Sequence, residues 1–142
     1  MPKTIKLKKY VGIIEEYEAH AVIHPGMLLE LRPDGKVQVH NDVAGFAIPR
    51  FALEDELQGK TINDAYLAET PVQVWVVNRG EVVLARLQAG QNVVIGDRLV
   101  SAGDGTLRKA VALETNFIAE ALEAKNLTLP GAVSSHIIVC VI

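Results

Sequence analysis

Four histidines, three serines, one cysteine and two acidic clusters are the groups in this chain that could do chemistry. His20 and His24 lie four apart, but Pro25-Gly26 and the β-branched Val22-Ile23 argue against a helix there. In a strand, positions four apart share a face yet stand ~13 Å apart, too far to ligate one ion together. His40 and His136 belong to no ligand spacing. Ser101, Ser134 and Ser135 lack the Gly-x-Ser-x-Gly turn that exposes a nucleophile. Cys140 sits among Ile137, Ile138, Val139, Val141 and Ile142, where an apolar surround raises a thiol pKa. It reads as a small buried hydrophobe. Glu15-Glu16 and Glu54-Asp55-Glu56 read as solvated faces rather than as a catalytic carboxylate pair. Gly103-Asp104-Gly105 lacks the Lys-Ser partner of a phosphate loop, and its Asp-Gly suits a turn. The residues therefore predict no catalytic site, no metal and no cofactor, and a protein that is not an enzyme.

The elements behind these residues follow a pattern written twice. Gly26 precedes the Asp34-Gly35 glycine by nine positions, and Gly96 precedes the Asp104-Gly105 glycine by the same nine. An Ala-Leu-Glu follows each, at Ala52-Leu53-Glu54 and Ala121-Leu122-Glu123. Met27–Leu31 and Lys36–His40 flank one Asp-Gly turn, and Leu99–Val100 and Thr106–Lys109 flank the other, as hairpins require. Val72–Val77, with Trp75 as a core anchor, is read as a strand. Asn78-Arg79-Gly80 is read as a turn joining it in a hairpin to Glu81–Leu87, and Ser135–Ile142 as a last apolar strand. Ala119–Ala124 has helical propensity, but its counterpart Phe51–Glu54 follows Pro49, so both are read as short strands. The fold expected is mostly β: a small pseudo-duplicated β-barrel or sandwich with little helix and an extended N-terminal arm. Residues 1–9 form the arm, and 10–142 a single β domain with half-repeats at about 22–56 and 93–125.

The 142 residues suffice for one buried core, and 49% of them are apolar, yet no apolar run approaches the ~20 that cross a bilayer. A single cysteine cannot form an internal disulfide, and the N-terminus lacks the apolar core of a signal peptide; both favour assembly in a reducing cytoplasm. The net charge of −3 conceals an asymmetry: residues 1–9 hold four lysines and no acid, and the rest carry −7. An acidic body offers no field for a phosphate backbone, so direct nucleic-acid contact is not expected. The arm alternates Ile5 and Leu7 with Lys6 and Lys8, giving a strand one apolar and one basic face. Thr4, Ile5, Lys6, Leu7, Lys8 and Lys9 are thus the candidate contact residues, added as a strand to a partner surface.

Several segments together resemble the head decoration proteins of tailed bacteriophages, also called capsid cement or stabilising proteins. They are Pro25–Leu31 with Gly35-Lys36-Val37, Arg50–Glu54, Val72–Trp75 with Arg79-Gly80, Gly90–Asp97, Asp104–Lys109 with Ala121–Ala124, and Ile137–Ile142. The resemblance spans roughly Val22 to Ile142, and rests on the order and spacing of these motifs. It implies a non-enzymatic virion protein on the outer capsid surface, bound to the major capsid protein and commonly a homotrimer. The segment Val111–Phe117 looks shorter than in many relatives, and Lys3–Lys9 has no match. Another phage structural module, a head-completion or tail protein, is the alternative. A hydrolase domain, or a β-barrel carrier similar to lipoyl domains with Lys36 or Lys109 at a turn, is a third, although neither lysine has the expected context.

Overall fold

The structure, a computed structural model, describes residues 2–8 and 12–142. In chain order the strands are β1 (Lys6–Lys8), β2 (Ile13–Glu18), β3 (Leu28–Leu31), β4 (Val37–Val39), β5 (Arg50–Ala52), β6 (Pro71–Val76), β7 (Val82–Leu87), β8 (Asn92–Val93), β9 (Arg98–Ser101), β10 (Leu107–Lys109), β11 (Ala119–Ala121), β12 (Lys125–Asn126) and β13 (Ser135–Val141). The helical content of the described residues is one 3-10 turn, Glu56–Gln58.

The mostly-β duplication expected from the sequence is present, and it is more complete than the repeated motifs alone. The strands β2-β6-β5-β3-β4 form one sheet, closed into a barrel by a parallel bridge between Ala19 and Val37. The strands β7-β13-β11-β9-β10 form a second, closed by the parallel pairing of Leu107 with Leu87. Topology and register repeat together. Leu29 faces Val39 across β3 and β4 as Leu99 faces Lys109 across β9 and β10. Leu29 pairs with Arg50 as Leu99 pairs with Ala119, and Arg50 with Val76 as Ala119 with Val141. The Asp-Gly turns repeat too: Asp34 and Asp104 each accept the N–H two residues on, at 3.0 Å, while Gly35 and Gly105 take φ of 83° and 87°.

Each repeated motif supplies three strands and recruits two from outside itself, so each copy closes its own barrel. The predicted hairpin across Asn78-Arg79-Gly80 does not form. Both edges of β6 are taken by β2 and β5, and β7 pairs with β1, β10 and β13, so residues 78–81 are the crossover from one barrel to the other. Cys140 also departs from expectation. It is half-buried on the outward face of β13, while Ile137, Val139 and Val141 fill the inward face.

Strand alternation sorts the apolar residues into two cores. Ala19, Leu29, Val37, Ala52, Val72 and Val74 fill the first barrel. Their equivalents Leu87, Leu99, Leu107, Ala121, Ile137 and Val139 fill the second. The outward positions differ. Leu28, Phe51 and Trp75 on the first barrel are fully buried and join the second core, whereas their equivalents Arg98, Glu120 and Cys140 are exposed or half-buried. The first barrel thus presents an apolar flank to Leu84, on the outer face of β7.

Two glycines let the barrels approach. A Cβ on Gly26 would lie 2.9 Å from the Leu84 carbonyl oxygen and 3.1 Å from the His136 ring, while one on the equivalent Gly96 would meet nothing within 4 Å. In the other pair the roles reverse: a Cβ on Gly105 would press on Val39 at 3.1 Å, and one on Gly35 would be in the open. Gly26 and Gly96 have nearly the same φ, 91° and 92°, so alanine costs both the left-handed backbone penalty of about 1–2 kcal/mol. Gly26→Ala is expected to cost about twice as much as Gly96→Ala or more, measured by urea unfolding, because only Gly26 lies against the seam.

Candidate functional site

The arm is seated on its own chain. β1 pairs antiparallel with the start of β7, Lys6 facing Val83 and Lys8 facing Val82 across a bulge. The Leu84 N–H donates to the Ile5 carbonyl at 2.9 Å, and the Ile5 N–H donates to the Glu54 carboxylate at 2.8 Å. Ile5 has no exposed surface and belongs to the core shared by the barrels, with Leu7 packed beside it. Thr4 lies exposed with its hydroxyl on the Lys6 carbonyl, and Lys9 lies outside the described residues. The alternation read from the sequence does build a strand with an apolar face, and here that face closes on the molecule itself. Glu54, read from the sequence as a solvated acid, is 7% exposed and caps the arm.

The structure joins two residues that sequence spacing could not connect, His40 and Ser101. The His40 Nε2–H donates to the Phe46 carbonyl at 3.1 Å, and in the neutral tautomer this sets, Nδ1 accepts the Ser101 hydroxyl at 2.6 Å. A serine on a histidine has the form of a nucleophile and its base. Here Ser101 is wholly buried and His40 2% exposed, and the Ser101 carbonyl also accepts the Ala44 N–H at 2.9 Å. The pair ties the loop after β4 to β9, across the seam. No sequence signal joined them: His40 lies past Gly35 while Ser101 lies before Gly105, at positions that are not equivalent in the two copies, and the seam alone makes them meet.

His136 is a second tie. It is 5% exposed and donates Nε2–H to the Pro25 carbonyl at 3.2 Å. Burial holds its pKa below the ordinary histidine value; the Pro25 bond opposes this, while Arg86, Lys125 and His24 add to it. His24 is lowered as well, by burial and then by Arg86. His20 is exposed on the loop after β2. No cluster of three or more metal-ligating side chains occurs among the described residues.

Among the described residues, three surfaces stand out as able to meet a partner. The first is the arm with its lysines. The second is the outer edge of β2, where Ile13 and Ile14 are 54% and 45% exposed. Beside it a groove of about 580 Å³ runs under the 3-10 turn, lined by Glu16, Asp55, Leu57, Asp64 and Leu67 among others. The third is formed by the equivalent loops 41–49 and 110–118, joined by an Asn116 amide donating to the Ala44 carbonyl at 3.1 Å. They expose Val43, Phe46, Val111 and Leu113, with Ala44 and Leu113 both at positive φ.

Two outcomes follow from this geometry. Ile5→Ala removes a fully buried side chain from the shared core and is expected to cost roughly 3 kcal/mol in denaturant unfolding. Acidification should weaken the seam. A histidine whose folded pKa is depressed binds fewer protons folded than unfolded, so its contribution is complete above the unfolded value of about 6.5 and declines as pH falls below it. Thermal melts at pH 7.5 and 5.0 should show a drop that is smaller in His136→Gln, whose amide can still donate to Pro25. An equal drop in both proteins would assign the effect elsewhere.

No protein-family model and no curated protein matches the chain. Among solved structures, the crystal structure of the N base of head fiber gp8.5 in bacteriophage phi29 is similar, with a TM-score of 0.60 over 93% of this chain and 95% of that one. At 13% identity the likeness is one of fold alone.

Proposed function

We propose that this chain is a structural protein of a tailed-phage head, bound to the outer surface of the shell as a decoration protein. The observation that carries the reading is the fold shared with a phage head fiber base along 93% of the chain, met by the independent resemblance of its motifs to decoration proteins. In this reading it is not an enzyme; it assembles in the host cytoplasm, joins the virion, contacts the major capsid protein and associates as a homotrimer. Contact area repeated over many copies stabilises a shell without any single strong site. The arm contributes its charge: with Ile5 held in the core, Lys3 is exposed and Lys6 half-buried, on a segment that carries four lysines beside an otherwise acidic body.

Co-sedimentation with heads assembled without the protein tests the reading directly. Saturable binding at hundreds of copies per head is expected, with heads that survive heat or chelation better than bare ones. Absence of binding sinks it. Saturation at a few or a dozen copies would favour the base of a projecting fiber, as in the similar structure, over a cement. Reversing the charge of the arm by Lys3→Glu, Lys6→Glu and Lys9→Glu keeps Ile5 and is expected to weaken binding about tenfold or more at low salt. Gel filtration with light scattering reads the trimer.

A further inference from the structure

The duplication makes two equivalent strand edges, and only one of them is filled. In the second barrel, the start of β7 is covered by β1, with Leu84 N–H bonded to Ile5. Leu87 corresponds to Ala19, since each makes the parallel bridge that closes its barrel. The bond from Gln88 N–H to Leu107 repeats as the bond from His20 N–H to Val37. Leu84 therefore corresponds to Glu16, and the stretch of β7 beneath the arm corresponds to Ile14–Glu16 of β2. Among the described residues, β2 pairs with β6 on one side and has only the Ala19 bridge on the other.

We propose that this outer edge of β2 is a second strand-acceptor site, and that its occupant is an extended basic segment of another protein chain. The filled twin shows the mode of binding: main-chain pairing, an isoleucine set between lysines, and a carboxylate receiving a free N–H. The empty twin has matching chemistry. Glu15, Glu16 and Glu18 stand on the strand, with Asp55 and Asp64 in the groove beside it, and Ile13 and Ile14 are exposed where their counterparts are covered. The acids already have local partners: Glu15 takes the Tyr17 hydroxyl, Glu16 the Gln73 amide and Glu18 the Lys36 ammonium. These bonds hold the carboxylates along the edge, and two lysines, Lys36 and Lys60, against the five acids named leave the flank negative. Six residues of strand span about 20 Å, room for one short partner strand. The site stands or falls separately from the head-surface reading.

The probe is a capped peptide with the sequence of Lys3–Lys9, titrated into the full chain, whose own arm already covers β7. The expected result is saturable binding, with amide shifts at 13–18 by NMR. Binding should weaken at least tenfold in 0.5 M salt, and no binding should occur with a peptide bearing glutamate at each lysine. Glu16→Pro removes one outward N–H while leaving the β6 side, and should weaken binding at least tenfold. Should that variant not fold, Glu15→Lys with Glu18→Lys gives the same reading through charge. Amide shifts at 82–84, with binding enhanced by Glu54→Gln, would mean that the peptide only displaces the arm and would overturn the proposal. So would the absence of saturation at millimolar peptide. Concentration-dependent self-association of the chain, abolished by Glu16→Pro, would overturn the choice of a foreign chain in favour of a second copy.

Discussion

The molecule depends on one asymmetry between two otherwise equal barrels: the same three outward positions carry Leu28, Phe51 and Trp75 in one copy and Arg98, Glu120 and Cys140 in the other. A five-stranded barrel of such short strands encloses few side chains. The first barrel's interior holds eight buried residues, among them two alanines, so it can bury little apolar surface by itself. The apolar flank solves this by making the second barrel's core continuous with the outside of the first. Had both copies kept the apolar flank, the second would expose a leucine, a phenylalanine and a tryptophan to solvent, a patch that invites association. Divergence at these positions fixes both the pairing of the barrels and its one-sidedness.

The seam then imposes conditions on everything near it. Backbones approach closely enough that Gly26 and Gly105 have no room for a side chain, and the Leu28 N–H donates to the Gly105 carbonyl across the gap at 2.8 Å. Three polar side chains sealed there find partners inside: His40, Ser101 and His136 bond to one another or to backbone carbonyls rather than to solvent. The arm completes the seal. Ile5 fills the space beside Leu84, and Glu54 satisfies the backbone N–H that its burial would otherwise orphan. His40 and His136 are thus ties across the seam, and the depressed proton affinity of His136 is a consequence of its burial there.

Much of this was legible in the sequence. The repeated Gly-to-Asp-Gly spacing located both hairpins, since Asp-Gly dictates its turn locally, and strands rather than helices do form at the Ala-Leu-Glu segments, although each strand ends at the alanine and leaves Leu53-Glu54 and Leu122-Glu123 outside it. What was hidden is what depends on long-range competition. Asn78-Arg79-Gly80 has hairpin chemistry, yet β6 and β7 each find other neighbours, and a local signal cannot report that both edges are taken elsewhere. Likewise, nothing local distinguishes Gly26 from Gly96: their φ angles agree, and only the neighbouring barrel separates their roles. Glu54 looked like a surface acid because its partner lies forty-nine residues away in the arm.

Duplication also explains why the surface is uneven. Two equal barrels offer two equal strand edges, but the chain supplies a single arm, and the seam decides where it goes. On β7 the arm finds Leu84 and the apolar flank of the first barrel, so Ile5 is buried on both sides. On β2 the equivalent position is Glu16, facing a groove with acidic walls, and an isoleucine placed there would be covered from one side alone. The difference in apolar burial sends the arm to β7 and leaves β2 with its acids. Unpaired edges are ordinarily guarded by charge of the kind that disfavours a second copy of the same strand. Three glutamates do so here, because a copy of β2 would bring three more against them. The same charges favour a strand of opposite sign, so this edge rejects its own kind and keeps its hydrogen-bonding capacity for a basic partner.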